Sequence, residues 1–241
     1  MGSVTTDIKV AGAVVEGPMV PAQAGSADEH LATAEATPVT EYLPPFAVVR
    51  QPIPVTVRHL LDHSFGLANP LPLRWVYPSG APAPDPRAFL ERLLARYPRL
   101  AFWPGSRASY SNLGYLALGE VIAQVAAVPY RQYVRKQVLA SLGMAHTGFT
   151  YEEAGGRSAA TGYQHLAAPL TPLRAFLPAG VVSRLTGRYV AYHPFYATGA
   201  AYGGLGGGVD DLGRLAHSPL LVLAGVSRTH DTVGRVPQLP Q

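Results

Sequence analysis

The sequence predicts an α+β fold, and three observations carry that prediction. Apolar residues recur at helical spacing in segments between 54 and 143, whereas the residues beyond carry only short strand-like patterns. Glycine and proline, 25 and 23 of the 241 residues, favour many turns and long connections over a helix bundle. Apolar residues make up 48% of the chain, ample for a core.

Residues 11–40 are rich in Ala, Gly, Pro, Thr and Glu. Neither a period of two nor one of 3.6 persists there, which predicts mostly loop or disorder, and regular structure is expected from Tyr42-Leu43-Pro44 onward. Thr56 fits an N-cap, with Leu60 and Leu61 on the buried face of a short helix and Gly66 as its stop. A Pro-rich loop follows over 68–84. Asp85 and Pro86 then supply a cap and a first helical residue, and Phe89, Leu90, Leu93 and Leu94 form an apolar stripe reaching to Tyr97. Phe102 to Ala108 reads as a turn around Pro104-Gly105.

Asn112 to Val125 is the strongest helical pattern, with Leu113, Leu116, Ala117, Val121 and Val125 on one face. Pro129 starts its partner, which carries Tyr133, Val134, Val138 and Leu139 and breaks at Gly143. Gly162-Tyr163 and Arg188 to Tyr192 read as short strands, and Ala201 to Gly208 as a glycine-rich turn. Asp210 or Asp211 is expected to cap a last helix around Leu212 to Leu215, and no pattern follows from Gly225. The expected organisation is a divergent or disordered segment over 1–40, a domain over 41–220 and an unpatterned tail over 221–241.

Composition excludes several classes of function. The formal charge of +4 comes almost wholly from arginine, 17 of the 19 basic residues. The first fifty residues are acidic, and the basic residues beyond are scattered without an aromatic platform, so no nucleic-acid partner is expected. The absence of cysteine excludes disulfides, zinc–thiolate sites and a cysteine nucleophile. No apolar run approaches the length of a membrane span; Pro219 to Val226 is too short. No basic region followed by an apolar run opens the chain, so no signal peptide is expected and the default placement is cytoplasmic. No pattern specifies an oligomeric state.

His59 and His63, four apart, place two imidazoles on one helical face. Without a third ligand nearby they read as structural, and no metal is expected. The glycines from 203 to 208 lack dinucleotide spacing, no G-x-S-x-G elbow is present, and no cofactor is expected. Tyr110-Ser111-Asn112 is the most informative feature. A phenol and an amide two residues apart, just before a helix, can point into one cleft, where the phenol shuttles a proton and the amide holds a carbonyl or a lysine.

An ordered series of stretches surrounds it. Val55-Thr56-Val57-Arg58-His59-Leu60-Leu61-Asp62-His63-Ser64-Phe65-Gly66-Leu67 comes first, followed by Trp103-Pro104-Gly105 and Tyr110-Ser111-Asn112-Leu113-Gly114-Tyr115. Leu139 to Thr147, then Gly203-Gly204-Leu205 and Asp210-Asp211-Leu212, complete it. Over residues 41–215 the series resembles the serine β-lactamase and penicillin-binding-protein family in its class C-like, esterase-containing branch. The resemblance implies a β-lactamase/transpeptidase-like fold, a helical region packed on an antiparallel sheet. It also implies an incomplete sheet and a partial domain over 41–220, because the family's strands at both ends have no counterpart.

The same resemblance implies a chemistry. In the family a Ser-x-x-Lys pair opens a buried helix, its serine is acylated by an ester or amide, and the lysine assists loss of the serine proton. Gly2-Ser3-Val4-Thr5 resembles the lead into that pair, which makes Ser3 the nucleophile, Tyr110 the proton relay and Asn112 the orienting amide. The lysine position is Thr6. Lys9, six residues on, would lie about 240° around a helix from Ser3. No Lys-x-Gly or His-x-Gly follows the Gly203-Gly204-Leu205 region. Two readings stay open. One is a serine hydrolase forming an acyl-enzyme with a small ester, a β-lactam or a peptidoglycan-like amide. The other is a catalytically impaired remnant or a non-catalytic binding domain of the same lineage.

Overall fold

A computed structural model describes residues 6–10, 13–17, 34–48, 53–154, 161–169 and 171–217. The helices are α1 (Val39–Tyr42), α2 (Val57–Leu61), α3 (Pro86–Arg96), α4 (Asn112–Ala126), α5 (Tyr130–Val134) and α6 (Val209–Ala216). Helix α4 is the centre of the core, and α1, α2, α3 and α5 all pack on it. From Leu113 to Ile122 every residue of α4 except Tyr115 is buried. A helix apolar on all sides is stable only when surrounded, which is the position α4 takes. Leu113, Leu116, Leu118 and Val121 are fully buried, each contributing about 2 kcal/mol of transfer free energy.

The helix boundaries follow local chemistry. Thr56 caps α2 by accepting from the His59 N–H, and the His59 ring returns the favour by accepting from the Thr56 N–H at 3.2 Å. Asp85 caps α3 through the Ala88 N–H at 2.6 Å, with Pro86 in the first turn. Helix α4 ends where Ala127 turns left-handed, and the chain then bends by 76° into α5, which continues through a π turn to Leu139. Among the described residues no single helix is long and apolar enough to cross a membrane.

The strands form small sheets, and every pairing among the described residues is antiparallel. β1 (Thr6–Val10) pairs with β2 (Ala13–Gly17), Lys9 opposite Val14, and the backbone of β2 lies against α4. β3 (Val76–Pro78) pairs with β8 (Phe195–Ala197), and β4 (Thr147–Gly148) with β9 (Gly206–Gly207). β7 (Tyr189–Tyr192) runs between β5 (Tyr163–His165) and β6 (Val182–Thr186). The α+β expectation is borne out, with sheets of two or three strands.

Several local readings need correcting. β2 and the first two residues of α1 fall inside residues 11–40, where composition suggested mostly loop. α1 is fixed from outside, by Val39 N–H donating to Val55 and Val57 N–H donating to Thr37, so sequence-local periodicity could not register it. α2 stops at Leu61, ahead of Gly66. Gly66, at φ +91°, serves a different purpose: a Cβ there would come within 2.3 Å of the Phe102 carbonyl oxygen. Part of the glycine-rich turn is strand β9. The N-cap position of α6 is Gly208, not Asp210 or Asp211. Asp211 is buried and accepts from the His146 N–H at 2.8 Å and the Thr147 hydroxyl at 2.9 Å, tying α6 to β4.

Gly119 marks a close approach of the 199–201 loop to α4. A Cβ at this position would lie 2.5 Å from the Ala201 Cβ, which cannot rotate away. Gly119→Ala gains about 1 kcal/mol of helix propensity and loses about 1–3 kcal/mol to overpacking. The expected net result is destabilisation of about 1 kcal/mol by urea denaturation. A stabilised variant would mean that the 199–201 loop does not press on α4.

Candidate active site

The Tyr110 and Asn112 side chains meet. The Tyr110 hydroxyl donates to Asn112 Oδ1 at 2.9 Å, on a surface where Tyr110 is 64% exposed. Ser111, between them, is fully buried and occupies the N-cap position of α4, yet its side chain makes no capping bond. The segment after α2 supplies the missing partners. Asn69 Oδ1 accepts from the Asn112 N–H at 3.1 Å, and His63 Nδ1 accepts from the Ser111 N–H at 3.3 Å. The start of α4 is therefore satisfied by side chains from residues 63 and 69 rather than by a local cap.

His63 is the residue that sequence reasoning placed wrongly. It does not share a helical face with His59: α2 has ended, and His63 is left-handed at φ +57°. That turn brings it under the Tyr110 segment. Its carbonyl accepts from the Ser109 N–H at 2.9 Å while its ring accepts from Ser111, so one residue grips both neighbours of Tyr110. The imidazole centroid lies 4.7 Å from the Tyr110 ring and 4.9 Å from the Tyr115 ring. Accepting at Nδ1 requires the neutral ring with its proton on Nε2, an assignment that follows from the hydrogen bond. The structural role expected of both histidines holds, but through different contacts. Burial pushes the His59 imidazole below its ordinary value, against the opposing pull of Asp62. A neutral His59 is what its capping bond to Thr56 needs.

Tyr110, but not Asn112, lines a cavity of about 440 Å³ together with His63, Tyr115, Tyr130, Tyr202 and apolar side chains from α4, α5 and α6. This size suits a small-molecule ligand. Burial pushes the Tyr130 hydroxyl up to about 12 and also raises Tyr202, whose hydroxyl donates to the Trp75 carbonyl at 2.8 Å. Burial, then Tyr110 and Asp62, raise Tyr115 as well. The walls are thus neutral phenols and hydrocarbon, and His63 is the one basic side chain among the described lining residues. Such a site can hold an apolar acyl or aryl group beside a phenol and an amide able to handle a carbonyl and its proton.

Ser3 lies outside the described residues. Thr6, the residue at the lysine position, opens β1, and Lys9 lies within the same strand, so a helical rotation does not describe where Lys9 stands. Among the described residues no group of three or more His, Asp or Glu side chains has metal-binding geometry.

A model of the Beta-lactamase family matches residues 33–238. The putative penicillin-binding protein PbpX of Bacillus subtilis (strain 168) is 30% identical over 118 residues, 48% of this chain and 27% of that protein. The D-alanyl-D-alanine-carboxypeptidase/endopeptidase AmpH of Escherichia coli (strain K12) is 28% identical over 130 residues, 47% of this chain and 29% of that one. The octameric penicillin-binding protein homologue from Pyrococcus abyssi superposes with a TM-score of 0.52 at 25% identity, covering 79% of this chain and 39% of its own. FmtA from Staphylococcus aureus gives 0.53 at 19% identity, over 76% and 42%, a likeness of fold alone. The chain spans less than a third of the length of these curated relatives and less than half of these solved structures. With the family match running through most of the chain, and with helices and small antiparallel sheets arranged as in those structures, this protein belongs to the Beta-lactamase family of serine hydrolases and penicillin-binding-protein-like proteins.

Proposed function

We propose that the protein binds small esters or amides at the Tyr110–Asn112 pair and turns them over slowly through an acyl-enzyme on Ser3. The substrates would be a small ester, a β-lactam or a D-alanyl peptide of the kind named for AmpH. The observation that carries this reading is the 2.9 Å bond from Tyr110, which lines an aromatic cavity, to Asn112. In the proposed reaction Ser3 Oγ attacks the carbonyl, Tyr110 passes the proton to the leaving group, and Asn112 holds the substrate amide or ester. Water then releases the acyl group. The site is assigned to a partial domain over 41–220, with Ser3 contributed by the preceding segment and a tail over 221–241.

Slow turnover follows from Thr6. A hydroxyl without charge does not replace a lysine, and losing a general base typically costs about 10²–10⁴ in rate. The test uses a fluorescent penicillin and an activated aryl ester on the full chain, with the adduct located by mass spectrometry. Slow, stoichiometric labelling of Ser3, absent in Ser3→Ala, is the expected outcome. Folded protein that takes up no label overturns the enzyme reading, and an adduct elsewhere overturns the assignment of Ser3. One observation favours a second reading, a binding domain without turnover: Thr6 begins a β-strand where the family's pair opens a helix. On that reading penicillin raises the melting temperature with no covalent mass gain.

A further inference from the structure

A second cavity, of about 330 Å³, lies between the start of α3, the middle of α4 and the start of α5. Tyr130 and Ala200 line both cavities and separate this one from the Tyr110 site. Glu120 of α4 lines it and is only 8% exposed. The other charged residues of the lining already have partners. Asp85 accepts from the Ala88 N–H at 2.6 Å, and Arg87 pairs with Glu91 at 3.1 Å. Arg131 donates to the Tyr77 hydroxyl and the Ala197 carbonyl, both at 3.1 Å. Glu120 alone among them makes no hydrogen bond or close ion pair with the described residues. A carboxylate with so little access to water is costly to ionise, and the cost is relieved by taking up a proton or by a donor or cation that enters from the cavity.

The chemistry of the lining narrows the occupant. A divalent metal needs several oxygen or nitrogen ligands, and no such group exists among the described residues. An anion would face Glu120, with both guanidinium groups already engaged. Pro84, Pro86, Ala123, Pro129 and Gly199 leave an apolar wall around the carboxylate. We propose that this cavity binds a small primary amine, its ammonium on the Glu120 carboxylate and its alkyl body against Pro84, Pro86 and Ala123. Burial, joined by Asp85 and Glu91 against the opposing field of Arg87, pushes the Glu120 carboxyl above its ordinary value. An ammonium in contact offsets that effect and holds the ionised form.

The test is calorimetric titration of the full chain with n-butylammonium chloride, and with n-butanol as the neutral isostere. Saturable binding of the amine is expected, at least tenfold tighter than the alcohol and at least tenfold weaker in Glu120→Gln. Ala123→Leu fills the cavity without touching the carboxylate and should weaken the amine by a similar factor, which keeps the test informative if Glu120→Gln folds poorly. The proposal is overturned if folded wild-type protein shows no saturation, if butanol binds equally well, or if Glu120→Gln binds undiminished. It is also overturned if Tyr110→Phe abolishes binding, since the amine would then sit in the neighbouring cavity.

Discussion

Asp211→Ala is expected to destabilise the protein by about 3 kcal/mol, the largest single-residue stability loss at a polar position. The carboxylate is 2% exposed and accepts from the His146 N–H and the Thr147 hydroxyl. Removing it strands the buried Thr147 hydroxyl and takes the acceptor from the part-buried His146 N–H, at about 1–3 kcal/mol each with the hydroxyl toward the upper end. Arg214 contributes little to this figure, because it stands 4.0 Å away with its own side chain 55% exposed. Asp211→Asn keeps one acceptor oxygen and should lose about half as much. Thr147→Val removes one donor along with its bond, and about 1 kcal/mol is expected. Urea denaturation of the three variants reads the order directly. Asp211→Ala within about 0.5 kcal/mol of wild type would mean that α6 is not held to β4 by this carboxylate.

The same residue marks where the sequence stops being informative. An aspartate at the start of a helical pattern looks like a cap, and capping is the ordinary local reason for it. What distinguishes Asp211 is a partner more than sixty residues away, and no local pattern encodes that distance. The helices carried their own signal. In α4 the repeat of Leu113, Leu116, Ala117 and Val121 marked its position, although burial extends around the helix beyond that one face, and Asp85-Pro86 marked the start of α3 to the residue. Among the strands, Gly162-Tyr163 and Arg188 to Tyr192 pointed to β5 and β7, but β3, β4, β8 and β9 are two or three residues long, too short for an alternation to appear, and exist through pairing across the chain.

The candidate site divides in the same way. The pairing of Tyr110 with Asn112 follows from local geometry and was legible. His63 was not: its spacing from His59 suggested one helical face, while a left-handed backbone and two long-range hydrogen bonds put it beneath Tyr110. Glu120 was equally hidden, since one acidic residue in an apolar helix reads as a stray surface position until the packing around it is seen.

Tyr110→Phe is expected to slow acylation by an activated ester by about 10²–10⁴-fold with little change in stability. Among the described residues the hydroxyl makes one hydrogen bond, to Asn112, on a ring that is 64% exposed, so the fold gains little from it. Its loss should lower kcat and leave KM nearly unchanged, as for a group acting mainly in the transition state. His63→Ala should behave differently. It removes the acceptor for the Ser111 N–H and the ring faces packed against Tyr110 and Tyr115, while leaving a strained left-handed backbone. Displacement of the phenol by about 1 Å costs about 10²-fold in rate, and here it comes with a lower melting temperature. Asparagine tolerates the left-handed conformation and offers an acceptor oxygen, so His63→Asn should recover stability first and rate only in part. Equal rates for Tyr110→Phe and wild type would remove the phenol from the reaction and leave the Tyr110–Asn112 pair as a binding feature. Loss of rate in Tyr110→Phe without loss in His63→Ala would show that the phenol acts but is not positioned by the imidazole. Loss in both, split between kcat alone and kcat with stability, is the pattern that the clamp around Tyr110 requires.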